Sequence, residues 1–238
     1  MSLVIAIKDK DRVILGSDKQ VSCGGVKSHD AVKIWDLPEF PGAVMGSVGL
    51  VRATQIIQAS QVLELNDLLT NGGPTTTFMI NSVVPRILNL LETHGIKCDA
   101  NQHTDMDCST IPNSFIIAVG DKAWIISTDL CVTEIEDYAA IGSGEAVAWG
   151  CLFATKKDKN PFERIVTAIN ASAETTLYVD HAVDFASTKI YKNDCALLDK
   201  VFGFDKAETE NATETKKKPV KKSTKKKPNS KTTKKDKD

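Results

Sequence analysis

The chain has 238 residues, 42% hydrophobic and 26% charged, which is enough apolar surface for one sizeable core and excludes a wholly disordered protein. Its net charge of −1 hides a split: Lys216 to Asp238 holds twelve lysines against two aspartates, a charge of +10, leaving −11 for residues 1–215. No run nears the roughly 20 apolar residues of a membrane span, no basic lead makes the start a secretory signal, and six cysteines without C-x-x-C spacing read as reduced thiols, so a cytoplasmic protein off the membrane is expected.

Leu3–Ile7 and Arg12–Gly16 are two strand-like runs joined by the polar Lys8-Asp9-Lys10-Asp11, a predicted hairpin. Val32–Leu37 and Ala43–Val48 predict two more strands. The period then changes. Ala53, Ile56, Ile57, Ser60, Leu63 and Leu68 recur at helical spacing, with Asn71-Gly72-Gly73 as the stop. A second helix carries Ile80, Val83, Val84, Ile87 and Leu91 on one face, is open to a kink at Pro85 and ends at Gly95. Residues 96–112 read as a polar loop, although 93–108 gathers His94, Cys98, His103 and Cys108 at spacings that match no zinc pattern. Strands return at Ser114–Val119, Ala123–Ser127 and Cys131–Ile135. A third helix is expected from Ser143 and a fourth from Asn160, where an N-cap, Pro161 at the first helical position and Glu163 at capping-box spacing coincide. A last strand is expected near Ser187–Tyr191.

Strands, two helices, strands, two helices, strand: this order does not alternate one-for-one, which argues against a doubly wound parallel sheet. The fold class expected is α+β, two antiparallel sheets face to face between helical layers, an αββα sandwich. Residues 1–203 form that domain and 204–238 a Lys-rich tail that cannot bury enough surface to offset its chain entropy. Such a tail neutralises nucleic-acid phosphates weakly and without reading sequence. With no aromatics to stack on bases, a solvated tether is the slightly better reading.

The chemistry starts at Ser2. A small residue after the initiator methionine favours methionine removal, which would set a free α-amine beside the Ser2 hydroxyl. An α-amine titrates near pH 8 and serves as a base, so amine and hydroxyl of one residue make a nucleophile, provided that residue is held rigidly. A core strand beginning at Leu3 would hold it. Asp18 closes the second strand and Lys33 opens the third; an ammonium near Ser2 lowers the hydroxyl pKa, and a carboxylate holds the ammonium in place. In "AIGSGEA" (140–146) glycines around Ser143 permit close backbone approach before a helix N-terminus. Singly, each feature has a plainer reading: a small second residue, two surface charges, a glycine turn.

Together, "SLVIAIK", "RVILGSDKQ", "VKIWDL", "AVMGSVG" and "AAIGSGEAVAWG" resemble the HslV-type proteases and proteasome β subunits, N-terminal nucleophile hydrolases with an αββα sandwich, from Ser2 to about Tyr191. The resemblance implies that Ser2 is the nucleophile, Asp18 and Lys33 its acidic and basic partners, and Gly46 the oxyanion donor. It also implies that Ser143 contacts the terminal amine and that Glu174 lies near the same network. Two departures stand out: serine replaces the family's threonine, losing the methyl that restricts χ1, and Glu174 stands where an aspartate is usual. The activity implied is a threonine-type peptidase, a hydrolase of polypeptide substrates, needing no cofactor or metal. The assembly implied is a homo-oligomeric ring fed by an AAA+ ATPase unfoldase. The alternative is a non-catalytic ring or scaffold subunit that retains Met1.

Overall fold

In β1 (Leu3–Asp9) every residue from Leu3 to Ile7 is buried, and alternation divides them between two cores. Leu3, Ile5 and Ile7 face a cluster with Ala148, Leu152, Phe162, Ile165, Ala168 and Ile169. Val4 and Ala6 face the opposite way, against Val44, Val48, Ile116 and Ala118. A strand with both faces buried needs an unbroken apolar run, and Leu3 to Ile7 supplies one. The computed structural model describes residues 2–23, 26–37, 40–63, 73–98, 109–158, 160–190 and 194. The expected disorder of the tail, the expected helical position Leu68, the zinc candidates His103 and Cys108, and the last strand's end at Tyr191 lie outside them.

Two antiparallel sheets form the middle layers. One is ordered β10-β1-β2-β11, with β2 at Arg12–Asp18, β10 at Tyr138–Gly142 and β11 at Val183–Ser187. The other runs β5-β6-β7-β8-β9, formed by Ile34–Asp36, Ala43–Gly49, Asn113–Val119, Lys122–Ile126 and Val132–Glu134. A small hairpin, β3 (Val21–Cys23) with β4 (Val26–Ser28), stands apart. Helices α1 (Val51–Gln58) and α2 (Val84–Thr93) cover the five-stranded sheet through Ile57, Ile87, Leu91, Phe115 and Trp124. Helices α3 (Glu145–Ala154) and α4 (Pro161–Thr175) cover the four-stranded one. The αββα sandwich is therefore present. Among the described residues no helix is long and apolar enough to cross a membrane.

Glycine sets the spacing between layers. A Cβ on Gly16 would lie 2.3 Å from Ile165 Cγ2, and one on Gly46 would lie 2.7 Å from Val4 Cγ1. Arg12, 2% exposed, is held by Asp9 at 2.9 Å and Asp194 at 2.5 Å, closing the rim of the four-stranded sheet.

Several boundaries differ from expectation. The first helix stops at Gln58; the Ala59 N–H still reaches Gln55 O, but the Ser60 hydroxyl bonds back to Ile56 O, and Val62 and Leu63 enter the core without helical backbone. Ahead of Pro85, residues Met79–Val83 form a π turn in which the Val84 N–H reaches Met79 O. Widening that turn accommodates the proline ring, which cannot donate to the preceding turn. The last strand begins earlier, at Val183, because its register is set by pairing with β2, Val183 opposite Asp18 and Ser187 opposite Ile14. Strand β10 has no counterpart among the expected strands, since Ala139 and Ala140 carry little strand propensity; pairing along β1 makes it one. The α4 start is as expected, Asn160 Oδ1 accepting from Phe162 N at 3.0 Å and Glu163 N at 3.4 Å. Replacing Asn160 with alanine should cost about 1 kcal/mol in urea denaturation; no change would mean that packing of Phe162 alone fixes this helix end.

Candidate active site

Ser2 sits at the head of β1 with 7% of its surface exposed. Three contacts hold its backbone. Its carbonyl accepts from the Ser143 N–H at 2.9 Å and the Ser143 hydroxyl at 3.3 Å, and the following N–H, of Leu3, donates to Asp18 Oδ1 at 2.8 Å. The turn carrying Ser143 approaches closely because Gly142 has φ +109° and no side chain; a Cβ there would lie 2.1 Å from the Ser2 carbonyl oxygen. The glycine-serine pair of the sequence thus meets the front of β1.

Asp18, fully buried at the end of β2, uses both carboxylate oxygens. Oδ1 accepts from Leu3 N and from Lys33 Nζ at 2.7 Å; Oδ2 accepts from Gln20 N at 3.1 Å and Asp180 N at 3.2 Å. Four donors on one carboxylate are the arrangement that makes a buried charge tolerable. Lys33, whose side chain is 5% exposed, has its pKa pulled below 10.5 by burial, with the Asp18 carboxylate opposing the shift. Ser2 and Lys33 share the walls of a cavity of about 380 Å³. A second cavity of about 290 Å³, bordered by Ser143 and Glu145, also opens at Ser2.

The structure therefore brings Ser2, Asp18, Lys33 and Ser143 together. It does not bring Gly46 or Glu174 to them. Gly46 lies opposite Ile34 and Ile116 in mid-sheet, wedged against Val4. Because the next residue, Ser47, donates its N–H to Lys33 O, strand alternation turns the Gly46 N–H toward β7 and away from the cavities. The glycine that borders both cavities with Ser2 is Gly49, at φ +128°, where a Cβ would strike Pro112 O at 2.3 Å. Glu174 is two residues past Ser172, about 200° around the helix. Ser172 turns inward, donating to Gly144 O at 3.1 Å, so the Glu174 side chain is left 75% exposed, 3.5 Å from His181. In its place the network holds Asp180, whose N–H reaches Asp18 and whose carboxylate contacts His29 Nδ1 at 2.6 Å. Burial of that carboxyl is outweighed by the His29 hydrogen bond and the His181 N–H, which hold it below the usual range.

Asn113 carries no signal in the sequence beyond its place after Pro112. It is fully buried and binds the whole turn that contains Gly49. Its amide donates to Ser47 Oγ at 2.9 Å, Thr54 Oγ1 at 3.1 Å and Leu50 O at 3.3 Å, and its Oδ1 accepts from Leu50 N at 3.1 Å.

Neither a protein-family model nor a curated protein sequence matches the chain. Solved structures do match. HslV from Trypanosoma brucei superposes with a TM-score of 0.58 at 17% identity, over 78% of this chain and 98% of that one. The chain has the HslV-type, proteasome-like fold. BPH from Thiobacillus denitrificans gives 0.60 at 16% identity, over 80% of this chain and 99% of that one. BPH in complex with epoxomicin gives 0.59 at 16%, over 79% and 99%.

Proposed function

We propose that the chain is a proteasome-like peptidase subunit whose nucleophile is Ser2 once the Met1–Ser2 bond has been cut. The observation that carries this reading is the clamping of Ser2 between the Gly142-Ser143 turn and the Asp18–Lys33 pair, at the meeting of two cavities. The freed α-amine, directly or through water, takes the Ser2 hydroxyl proton as Oγ bonds to the substrate carbonyl carbon. The Lys33 ammonium lowers the cost of the developing alkoxide, and Asp18 keeps that ammonium in position. The Gly49 N–H, in place of Gly46, steadies the oxyanion. The carbon–nitrogen bond breaks, the leaving amine receives the proton, and water hydrolyses the serine ester by the same route reversed.

Assembly into a homo-oligomeric ring belongs to the same reading, as does feeding by an AAA+ ATPase unfoldase. The ring is supported by apolar side chains that a lone subunit leaves in solvent: Phe153 is 72% exposed, Leu177 74% and Trp149 42%. Native mass spectrometry should show a multiple of the subunit mass.

The enzymatic reading is tested by intact mass and by epoxomicin, the compound present in the BPH complex. The purified chain should lack Met1 and gain the epoxomicin mass, and Ser2→Ala should abolish both the adduct and peptide turnover. A chain that keeps Met1 and still assembles would instead be a non-catalytic ring scaffold.

A further inference from the structure

The larger cavity beside Ser2 has a charge that no described residue answers. Its cation, Lys33, is spent on Asp18. Its acid, Asp30, makes no hydrogen bond or ion pair among the described residues and lies exposed on the wall. The rest of the lining is uncharged. Ala31, Val32 and Val51 offer apolar surface, while Gln55 and Gln58 offer neutral amides. A volume of about 380 Å³ is in the range of cavities that take a ligand group. Apolar walls with one open carboxylate suit a side chain with a hydrocarbon stem and a cationic head, which is the construction of lysine and arginine. The charge of its own unit points the same way, since residues 1–202 carry −8 and favour the approach of basic polypeptides.

Resting on the peptidase reading, we infer that this cavity selects substrates with a lysine or arginine flanking the scissile bond, and that Asp30 is the residue that selects them. An acidic side chain there would face Asp30 without a counter-charge. A large aliphatic one would gain the apolar walls but leave the carboxylate unanswered.

Two measurements decide it. In the first, a denatured protein is digested and its cleavage sites are mapped by mass spectrometry. Lysine and arginine should be enriched at one position beside the cut, and Asp30→Asn should lower the basic-to-leucine ratio about threefold, as expected for one solvent-exposed charge pair. Asp30→Lys should move the preference toward glutamate. An even residue distribution, or a ratio unmoved in Asp30→Asn, overturns the inference while leaving the peptidase reading intact. In the second, Ser2→Ala protein is titrated with dye-labelled peptides centred on arginine, leucine or glutamate and followed by fluorescence anisotropy. The arginine peptide should bind most tightly, with that margin lost in Asp30→Asn. Equal binding of the three overturns the inference. Because this arm needs no turnover, a protein that cleaves nothing but prefers the arginine peptide would sink the peptidase reading and uphold the cavity's selectivity.

Discussion

Asp18→Asn is expected to cost about 3–5 kcal/mol of stability in urea denaturation, the magnitude found when one partner of a buried ion pair is removed. The asparagine can present its carbonyl to only one pair of donors. Either Leu3 N and Lys33 Nζ, or Gln20 N and Asp180 N, would then face an NH₂ group. Lys33, 4% exposed, would also lose its counter-charge. Adding Lys33→Met should restore part of the loss, because it removes the orphaned ammonium. A single variant within about 1 kcal/mol of the parent would show that the pair is not what holds β1 and β2 together at Ser2. The pH dependence has a definite sign. Burial sets the folded-state pKa of Lys33 below its unfolded value of 10.5, with Asp18 resisting. Between those two values the unfolded chain binds more protons, so the Lys33 contribution to stability rises with pH across that window and is flat below it. Without Asp18 the resisting charge is gone, so the window should open at a lower pH in Asp18→Asn. Under the proposed mechanism turnover should fall about 10²-fold or more in the same variant, since Asp18 no longer holds the Lys33 ammonium in position.

Asn113→Ala is the second large effect. It removes the acceptor of Leu50 N and one partner each from Ser47 Oγ, Thr54 Oγ1 and Leu50 O, which keep bonds among themselves: Ser47 Oγ to Thr54 Oγ1 at 3.0 Å and Thr54 N to Leu50 O at 3.1 Å. A single unsatisfied group of this kind costs about 1–3 kcal/mol where water cannot replace the partner. Asn113 acts as a positioning residue, since it touches the turn around Gly49 and does not line either cavity. If the Gly49 N–H is the oxyanion donor proposed above, disturbing it should lower kcat about 10²-fold with KM little changed, the pattern of an interaction made only in the transition state. A rise in KM at constant kcat would mean that the turn shapes substrate binding and does not serve the oxyanion. Circular dichroism of the variant at the assay temperature separates either outcome from unfolding.

The parts of this molecule that can be read from residue order are those set by neighbours in sequence. Leu3–Ile7 and Arg12–Gly16 announce buried strands because a two-faced core demands continuous apolar residues, and Asn160-Pro161 announces a helix start because the cap is a local bond. Ser2, Asp18, Lys33 and Ser143 are legible for a related reason: three of them sit at the ends of well-marked strands and one in a glycine turn, so strand pairing has few ways to arrange them. Contacts across long separations decide the features that chain order leaves open. Gly46 and Gly49 are three residues apart in one strand, and only the pairing of β6 with β5 and β7 shows which amide is turned into the sheet and which residue borders the cavities. Glu174 is kept from the network by which face of α4 meets Gly144, a choice made when Ser172 packs inward, and Asp180, beyond the helix end, reaches Asp18 instead. Strand β10 and residue Asn113 have no local signature, because an alanine pair becomes a strand only beside β1, and an asparagine becomes a clamp only when a turn 59 to 66 residues earlier closes on it.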